Sequence, residues 1–270
     1  MSALSSEDAV AIAVEAARAA GAILVERFRG PASGVRSKST ATDLVSEADE
    51  RAERTIVGYL RARRPDDGVV AEEGSSAKGA TGIDWYIDPL DGTINFLYGI
   101  PHWCVAICCA DPSGALAGVI YDPLRDELFT ATRGGGAFAG GARLAVTEKA
   151  DLASALIGTG FAYVADARNL QGRILAGVVG NVRDVRRNGS ASLDLAWVAA
   201  RRFDGYFESV DAPWDWMPGA LLVREAGGRV TELHPENPAF PRIVASAPAI
   251  HDALNRLLAE AVQKAQEPID

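Results

Sequence analysis

The run Asp88-Pro89-Leu90-Asp91-Gly92-Thr93 constrains this chain more than any other stretch. It follows Asp84-Trp85-Tyr86-Ile87, whose aromatic and branched side chains read as a short buried strand. Pro89 has no N–H to give to a sheet ladder, so the strand is expected to stop there and the chain to turn. Strand side chains alternate faces, so aspartates three apart would point opposite ways in a continuous strand. A turn at Pro89-Leu90 would bring Asp88 and Asp91 to one side, with the Leu90 carbonyl beside them. Three oxygen ligands from four residues form a nest for a hard cation such as Mg2+. Gly92-Thr93 then opens a helical turn whose free N–H groups suit a phosphate. A plain turn with solvated aspartates would use the same residue types. The apolar surroundings from Ile87 to Phe96 argue for a site instead.

A chain of 270 residues can bury a sizeable core, as one domain or as two packed halves, 1–150 and 151–270. The formal charge of -9 argues against a nucleic-acid surface, and no long basic block appears. The densest cationic cluster, Arg61-Ala62-Arg63-Arg64, reads as the end of a helix. Cys104, Cys108 and Cys109 fall in the apolar run Trp103 to Ala110. That pattern is no disulfide framework and lacks further ligands for zinc, so buried thiols in a reducing compartment are expected. No basic leader runs into an apolar core, and no apolar run is long enough to span a bilayer. The chain is therefore expected in the cytoplasm, with no membrane and no nucleic acid as partner. His102, His234 and His251 show no spacing that fits histidine-based nucleophilic catalysis.

In chain order, Ser5-Ser6-Glu7-Asp8 caps an amphipathic helix that runs to Phe28 and ends at Gly30-Pro31. After the polar loop Lys38 to Val45, Ser46-Glu47-Ala48-Asp49 has the form of a capping box for a second helix, to about Arg64. Gly68 to Ala71 reads as a strand ending in Glu72-Glu73-Gly74. Glu72 would come near Asp88 if that strand and the Trp85 strand lie side by side. Trp103 to Asp111, Ala115 to Tyr121 and Glu127 to Thr132 read as a meander. Gly134-Gly135-Gly136 and Gly140-Gly141 mark tight turns, since no strand and helix flank them as a dinucleotide motif requires. The first half thus reads as two helices on a largely antiparallel sheet.

Beyond Ala150 helices and strands alternate, which predicts a second sheet with crossover helices. Strands are expected at Ala155–Gly158, Val182–Arg186, Asp204–Glu208, Arg229–Leu233 and Ile243–Ser246. Helices are expected at Asn169–Val179, Ser190–Ala200, Pro213–Ala226 and Ala249–Gln266. Arg187-Asn188-Gly189-Ser190-Ala191 leads straight into a helix, either as a close-approach ligand segment or as a simple cap by Ser190. Asp215 opens another helix, where the dipole alone would favour it. Glu208 ends a strand in an aromatic-rich run and taken singly reads as surface.

Together these residues resemble the inositol monophosphatase family of Mg2+-dependent, lithium-sensitive phosphatases. The likeness rests on Trp85 to Phe96, on Trp214-Asp215 through Glu225-Ala226-Gly227-Gly228, on Glu72-Glu73, and on Lys38, Asp43-Leu44-Val45 and Asp49. It implies a layered αβαβα sandwich of α/β (α+β) class and a homodimer. It implies that Glu72, Asp88 and the Leu90 carbonyl hold one Mg2+, that Asp88, Asp91 and Asp215 hold a second, and that a third, weaker ion lies near Glu72. It makes Thr93 and Asp49 the dyad that orients or deprotonates water, with Glu72 as a third catalytic residue. The backbone of Gly92-Thr93 would hold phosphate oxygens. Gly189, Ser190, Ala191 and Glu208 would contact the alcohol part with help from Arg187, and Leu90, Asp91 and Asp215 would also line the substrate. Two ions about 3.5–4 Å apart neutralise a phosphate monoester and acidify water. The sequence departs from the family at Trp216-Met217-Pro218, where smaller residues are usual.

The expected substrate is a small phosphate monoester, myo-inositol 1-phosphate first, with histidinol phosphate or 3′-phosphoadenosine 5′-phosphate as alternatives within the family. A haloacid-dehalogenase-type mechanism would need Asp-x-Asp-Gly-Thr, but two residues separate the aspartates here. A regulatory binding protein that keeps the fold is the rival of a different class.

Overall fold

The computed structural model describes residues 4–28, 30, 34–37, 44–234, 237 and 239–267. Lys38 and Asp43 lie outside the described residues. Helix α1 (Ser6–Arg27) starts at Ser5, whose Oγ accepts the Asp8 N–H at 3.0 Å. Its buried face is mostly alanine, and Gly21 comes so close to the Tyr121 ring that a Cβ would sit 2.8 Å from it. Small side chains thus let the helix lie tightly on the sheet. A short antiparallel pair follows, β1 (Arg36–Ser37) with β2 (Leu44–Val45), and then α2 (Glu47–Arg63).

The first large sheet contains β3 (Gly68–Ala71), β4 (Ser76–Ala77), β5 (Asp84–Asp91), β6 (Cys104–Asp111), β7 (Gly114–Asp122), β8 (Glu127–Thr132), β9 (Gly136–Ala139) and β10 (Ala142–Arg143). Their order is β10-β9-β8-β7-β6-β5-β3-β4, and only β3 with β5 is parallel. Helix α3 (Thr93–Leu97) follows β5. The second sheet takes β11 (Leu156–Thr159), β12 (Asp184–Arg186), β13 (Gly205–Glu208), β14 (Arg229–Glu232) and β15 (Ile243–Ser246) in the order β12-β11-β13-β15-β14. There β11 is parallel to β12 and β13, and the remaining pairs are antiparallel. The other helices are α4 (Ala165–Val178), α5 (Ala191–Ala199), α6 (Pro213–Glu225) and α7 (Pro248–Ala265).

The first sheet is covered on both faces, which explains why its strands are apolar throughout rather than alternating apolar with polar. Along β6, Val105, Ile107 and Cys109 join the core under α1 and α2, whereas Cys104 and Ala106 join the core that holds α5, α6 and the second sheet. The period of two thus distributes one strand between two cores. α5 and α6 lie between the sheets, and α4 and α7 close the far side. The result is the layered αβαβα sandwich expected from sequence.

Three local expectations are corrected. β5 does not end at Pro89 but continues to Asp91. Asp88 pairs with Ala106 and Asp91 with Cys104, so three steps on β5 match two on β6, and a bulge does what a turn was expected to do. Pro89 sits inside that bulge, where no ladder N–H is needed. The glycine-rich stretch after Thr132 holds two further strands, β9 and β10, between its turns. α4 begins at Ala165 rather than Asn169, without a side-chain cap at Val164 to announce it. The three cysteines are free and buried, as expected, and no helix among the described residues is long and apolar enough to cross a membrane.

His251 ties α7 to the second sheet. Its Nδ1 lies 2.8 Å from Ser246 Oγ and its Nε2 2.8 Å from Thr231 Oγ1. Ser246 Oγ also donates to the Ala247 carbonyl, so it accepts from Nδ1–H, and Nε2 accepts from Thr231. Burial lowers the imidazole's pKa, helped by the Arg229 charge and opposed by Asp252. A folded-state pKa below the unfolded value of about 6.5 means that the neutral ring's contribution is present above that pH. It is lost as pH falls through the folded pKa. Urea unfolding of His251→Gln and of wild type between pH 7.5 and 5 should show the gap between them narrowing as pH falls. A constant gap would refute this account.

Candidate active site

β3 and β5 run parallel with Ala71 opposite Ile87, so the next residues on each, Glu72 and Asp88, emerge side by side. The Glu72 N–H donates to the Ile87 carbonyl at 3.1 Å, and the Glu72 and Asp88 carboxyls are hydrogen-bonded to one another. Glu53, buried on α2, accepts the N–H groups of Glu73 at 2.6 Å and Ser75 at 2.9 Å and so shapes the turn that presents Glu72. Asp88 is buried, and its Oδ1 accepts the Leu90 N–H at 2.9 Å. Burial pushes its carboxyl well above the usual carboxylate range, and the charges of Glu72, Asp91 and Asp215 push it further.

Asp91, at the far side of the bulge, is gripped by the N-terminus of α5. Its Oδ2 accepts from Ser190 Oγ at 2.8 Å and from the Ser192 N–H at 2.7 Å, and its Oδ1 from the Ala191 N–H at 3.3 Å. Burial raises Asp91 to a pKa of about 6 against these donors, which lower it. Gly92 follows at φ 101°, where a Cβ would sit 3.0 Å from the His102 carbonyl oxygen and 3.1 Å from Trp103 Cβ. Both the backbone angle and the space require glycine.

Asp49 occupies the third position of α2 and is buried. Its Oδ2 accepts from the N–H and the Oγ–H of Ser46, which leaves Oδ1 for Thr93 Oγ1 at 3.0 Å. Thr93 Oγ1 also lies 3.1 Å from the Leu90 carbonyl, so one hydroxyl proton has two acceptors. Burial raises the Asp49 pKa, and the Ser46 and Thr93 bonds oppose that rise. The capping box is therefore real, and it also aims Asp49 at Thr93.

The second half supplies the remaining wall. Ser190 caps α5, and Gly189 at φ 91° leaves no room for a Cβ, which would meet Arg187 Nη1 at 2.6 Å. Ala191 is buried beside it. Glu208, at the end of β13, lies against Gly160, where a Cβ would fall 2.0 Å from the carboxyl carbon. Tyr206 donates to Glu208 Oε2 at 2.6 Å. Burial raises Glu208 to a pKa of about 7, with Arg187 lowering it and Asp194 and Asp91 raising it. Glu208 is therefore not the surface residue that its position alone implied. Asp215 stands in the first turn of α6. Trp216 packs against the core, and Pro218 lies against Gly118 of β7, where a Cβ would sit 3.0 Å from the Pro218 carbonyl.

The fold brings Asp49 and Thr93 together, Asp88 beside Glu72, Asp91 and Asp215, and Arg187, Gly189, Ser190, Ala191 and Glu208 onto the facing wall. Three participants were missed: Glu53, Asn95 and Ser192. Asn95 Nδ2 donates to the His102 and Asn188 carbonyls, both at 2.7 Å, and so clips α3 to the segment before α5. Among the described residues, no three His, Cys, Asp or Glu side chains form a ready ion cage. Their oxygens are engaged with protein donors and with each other. The chemistry still fits a hard dication: Glu72, Asp88, Asp91, Asp215 and the Leu90 carbonyl offer only oxygen, and the carboxylates repel one another where no countercharge is present.

The profile of the inositol monophosphatase family matches residues 5–267. Relatives include an inositol-1-monophosphatase of Rhizobium meliloti, 40% identical over 257 residues and covering 94% of this chain and 95% of that one. They also include the Nus factor SuhB of Escherichia coli K12, 41% identical over 228 residues, 82% of this chain and 84% of that one. Among solved structures, a Thermotoga maritima IMPase superposes with a TM-score of 0.86 at 32% identity, covering 96% of this chain and 99% of that chain. The extragenic suppressor protein suhB of Bartonella henselae superposes with the same TM-score at 38% identity, covering 93% and 98%. The chain belongs to the inositol monophosphatase family.

Asn95→Ala should leave two carbonyls without their donor, at about 1–3 kcal/mol for each that stays buried. Urea unfolding monitored by tryptophan fluorescence checks this, and a loss below about 0.5 kcal/mol would show that the clip is idle.

Proposed function

We propose that this chain hydrolyses a small phosphate monoester, with myo-inositol 1-phosphate as the first candidate, using Mg2+. The observation that carries the reading is the convergence of Glu72, Asp91 and Asp215 on the buried Asp88, beside the Asp49–Thr93 pair. Glu72, Asp88 and the Leu90 carbonyl would hold one cation, Asp88, Asp91 and Asp215 a second, and Glu72 would lie near a third. Such ions neutralise a phosphate, acidify water and stabilise a leaving alkoxide. Thr93 Oγ1 takes the proton of the attacking water as it gives its own to Asp49 Oδ1. Ser46 holds the other oxygen of Asp49 and keeps the pair aligned. The N–H groups of Gly92-Thr93 at the start of α3 would meet phosphate oxygens. Gly189, Ser190 and Ala191 wall the alcohol side, with Arg187 donating to its hydroxyls and Glu208 accepting from them, which sets which alcohol fits. The same reading takes the protein as a cytoplasmic homodimer, and the exposed Tyr98 and Ile100 offer apolar surface for a partner copy.

Phosphate release should depend on Mg2+ and be inhibited by lithium, and it should be fastest on myo-inositol 1-phosphate. Histidinol phosphate and 3′-phosphoadenosine 5′-phosphate are the comparison substrates. Thr93→Ala should lower kcat by about 10^2–10^4 with little change in KM. Release that is fastest on another ester would move the substrate and keep the chemistry, whereas release without Mg2+ would end the metal reading.

Mg2+ at a hundred times its Kd should stabilise the fold by about 2.7 kcal/mol, which for a chain of this size is on the order of 5–10 °C in Tm. Asp88→Asn should lose that rise, yet match or exceed wild type in EDTA, because it removes one of several mutually repelling buried charges. Equal Mg2+ responses in the two proteins would contradict the ligand role.

A binding role is the second reading, favoured by the relatives named Nus factor SuhB. Asp91→Asn separates the two: loss of turnover with normal cellular function would favour binding.

A further inference from the structure

We propose that Ser192 is a positioning residue that sets the spacing between Asp91 and Asp215, and with it the strength of the cation site they share. This rests on the reading of both aspartates as ligands of one cation. Ser192 is fully buried and touches both residues: its N–H donates to Asp91 Oδ2 at 2.7 Å, and its Oγ donates to the Asp215 backbone carbonyl at 3.0 Å.

The helix packing explains why one hydroxyl matters. One turn further along, α5 and α6 meet closely, since a Cβ on Gly219 would sit 2.5 Å from Leu195 Cβ. Ser192–Asp215 and Leu195–Gly219 are therefore two contacts a turn apart, which together fix both the sliding and the rotation of α6 against α5. The turn that carries Asp215 is also weakened from within. Pro218 lies inside α6 and has no N–H to give to the Trp214 carbonyl four residues earlier. An outside donor at Asp215 steadies that turn. Asp91, by contrast, keeps its grip without the hydroxyl, because Ser190 Oγ and the backbone N–H groups of residues 191 and 192 remain. Loss of the Ser192 hydroxyl thus frees one ligand and leaves the other in place.

The test is calorimetric titration of the full chain with MgCl2, paired with urea unfolding in EDTA. Ser192→Ala should bind Mg2+ about three- to tenfold more weakly, the loss expected for one hydrogen bond. Leu254→Ala, a buried truncation on α7 away from the site, should destabilise folding and leave Mg2+ affinity at the wild-type value. Affinity unchanged in Ser192→Ala, or lowered equally in both variants, would overturn the role of Ser192. If Ser192→Ala does not fold, Ser192→Cys, nearly the same size but a weak donor, takes its place with the same expected and overturning results. A wild type that binds no Mg2+ would overturn the metal reading itself and this role with it.

Discussion

The structure turns on the burial of like charges. Asp88 is buried, and Glu72, Asp91 and Asp215, each half-buried, press their charges on it. Carboxylates in such a place are tolerated only with donors or cations around them. The fold brings donors from several layers. The bulge folds the Leu90 N–H onto Asp88, α5 aims its N-terminus at Asp91, and the two large sheets sit so that α5 reaches the first across the middle layer. The N-terminal half contributes Glu72, Asp88 and Asp91, and the C-terminal half contributes Asp215 and the α5 donors. Neither half completes the site alone, so the interface between the sheets is as much part of the chemistry as the aspartates are.

Much of this was legible in the sequence, because it follows from local rules. Caps at Ser5, Ser46 and Ser190 and the apolar strand runs placed most elements. The proximity of Glu72 and Asp88 followed from two strands lying side by side. What stayed hidden depends on partners far along the chain. Asn95 reads as one polar residue in an apolar turn until Asn188 arrives beside it. Glu53 reads as a solvated helix charge until the 73–75 turn docks on it. Ser192 reads as filler in an apolar helix. Pro89 misled for a related reason: the rule that proline ends a strand concerns a missing ladder donor, and the bulge places Pro89 where no donor is called for.

The run Trp216-Met217-Pro218 is bulkier than is usual in the family, and bulk beside Asp215 can alter either pocket shape or helix packing. Trp216 packs into the core and Pro218 against a glycine of β7, so this bulk is taken up behind Asp215. Gly118 lets the Pro218 backbone come this close, since a Cβ there would sit 3.0 Å from the Pro218 carbonyl oxygen and 3.1 Å from its Cα. The bulk of the helix is thus accommodated by the strand beneath it rather than by the pocket.

Relatives of similar identity carry an enzyme's name and a factor's name, so names alone do not choose between catalysis and binding. The electrostatics of this chain bear on the choice. A protein that acted only through its surface would be more stable with neutral residues in place of a buried carboxylate cluster, because an apolar or amide replacement avoids both desolvation and repulsion. Here that cluster is supplemented by Ser46 on Asp49, by Asn95 across two segments and by three donors on Asp91. Under the proposed reading, such an arrangement gains stability when cations enter it. Binding to a partner and turnover of a phosphate ester then need not compete, since the first can use exposed surface such as Tyr98 and Ile100 and the second uses the carboxylates gathered around the buried Asp88.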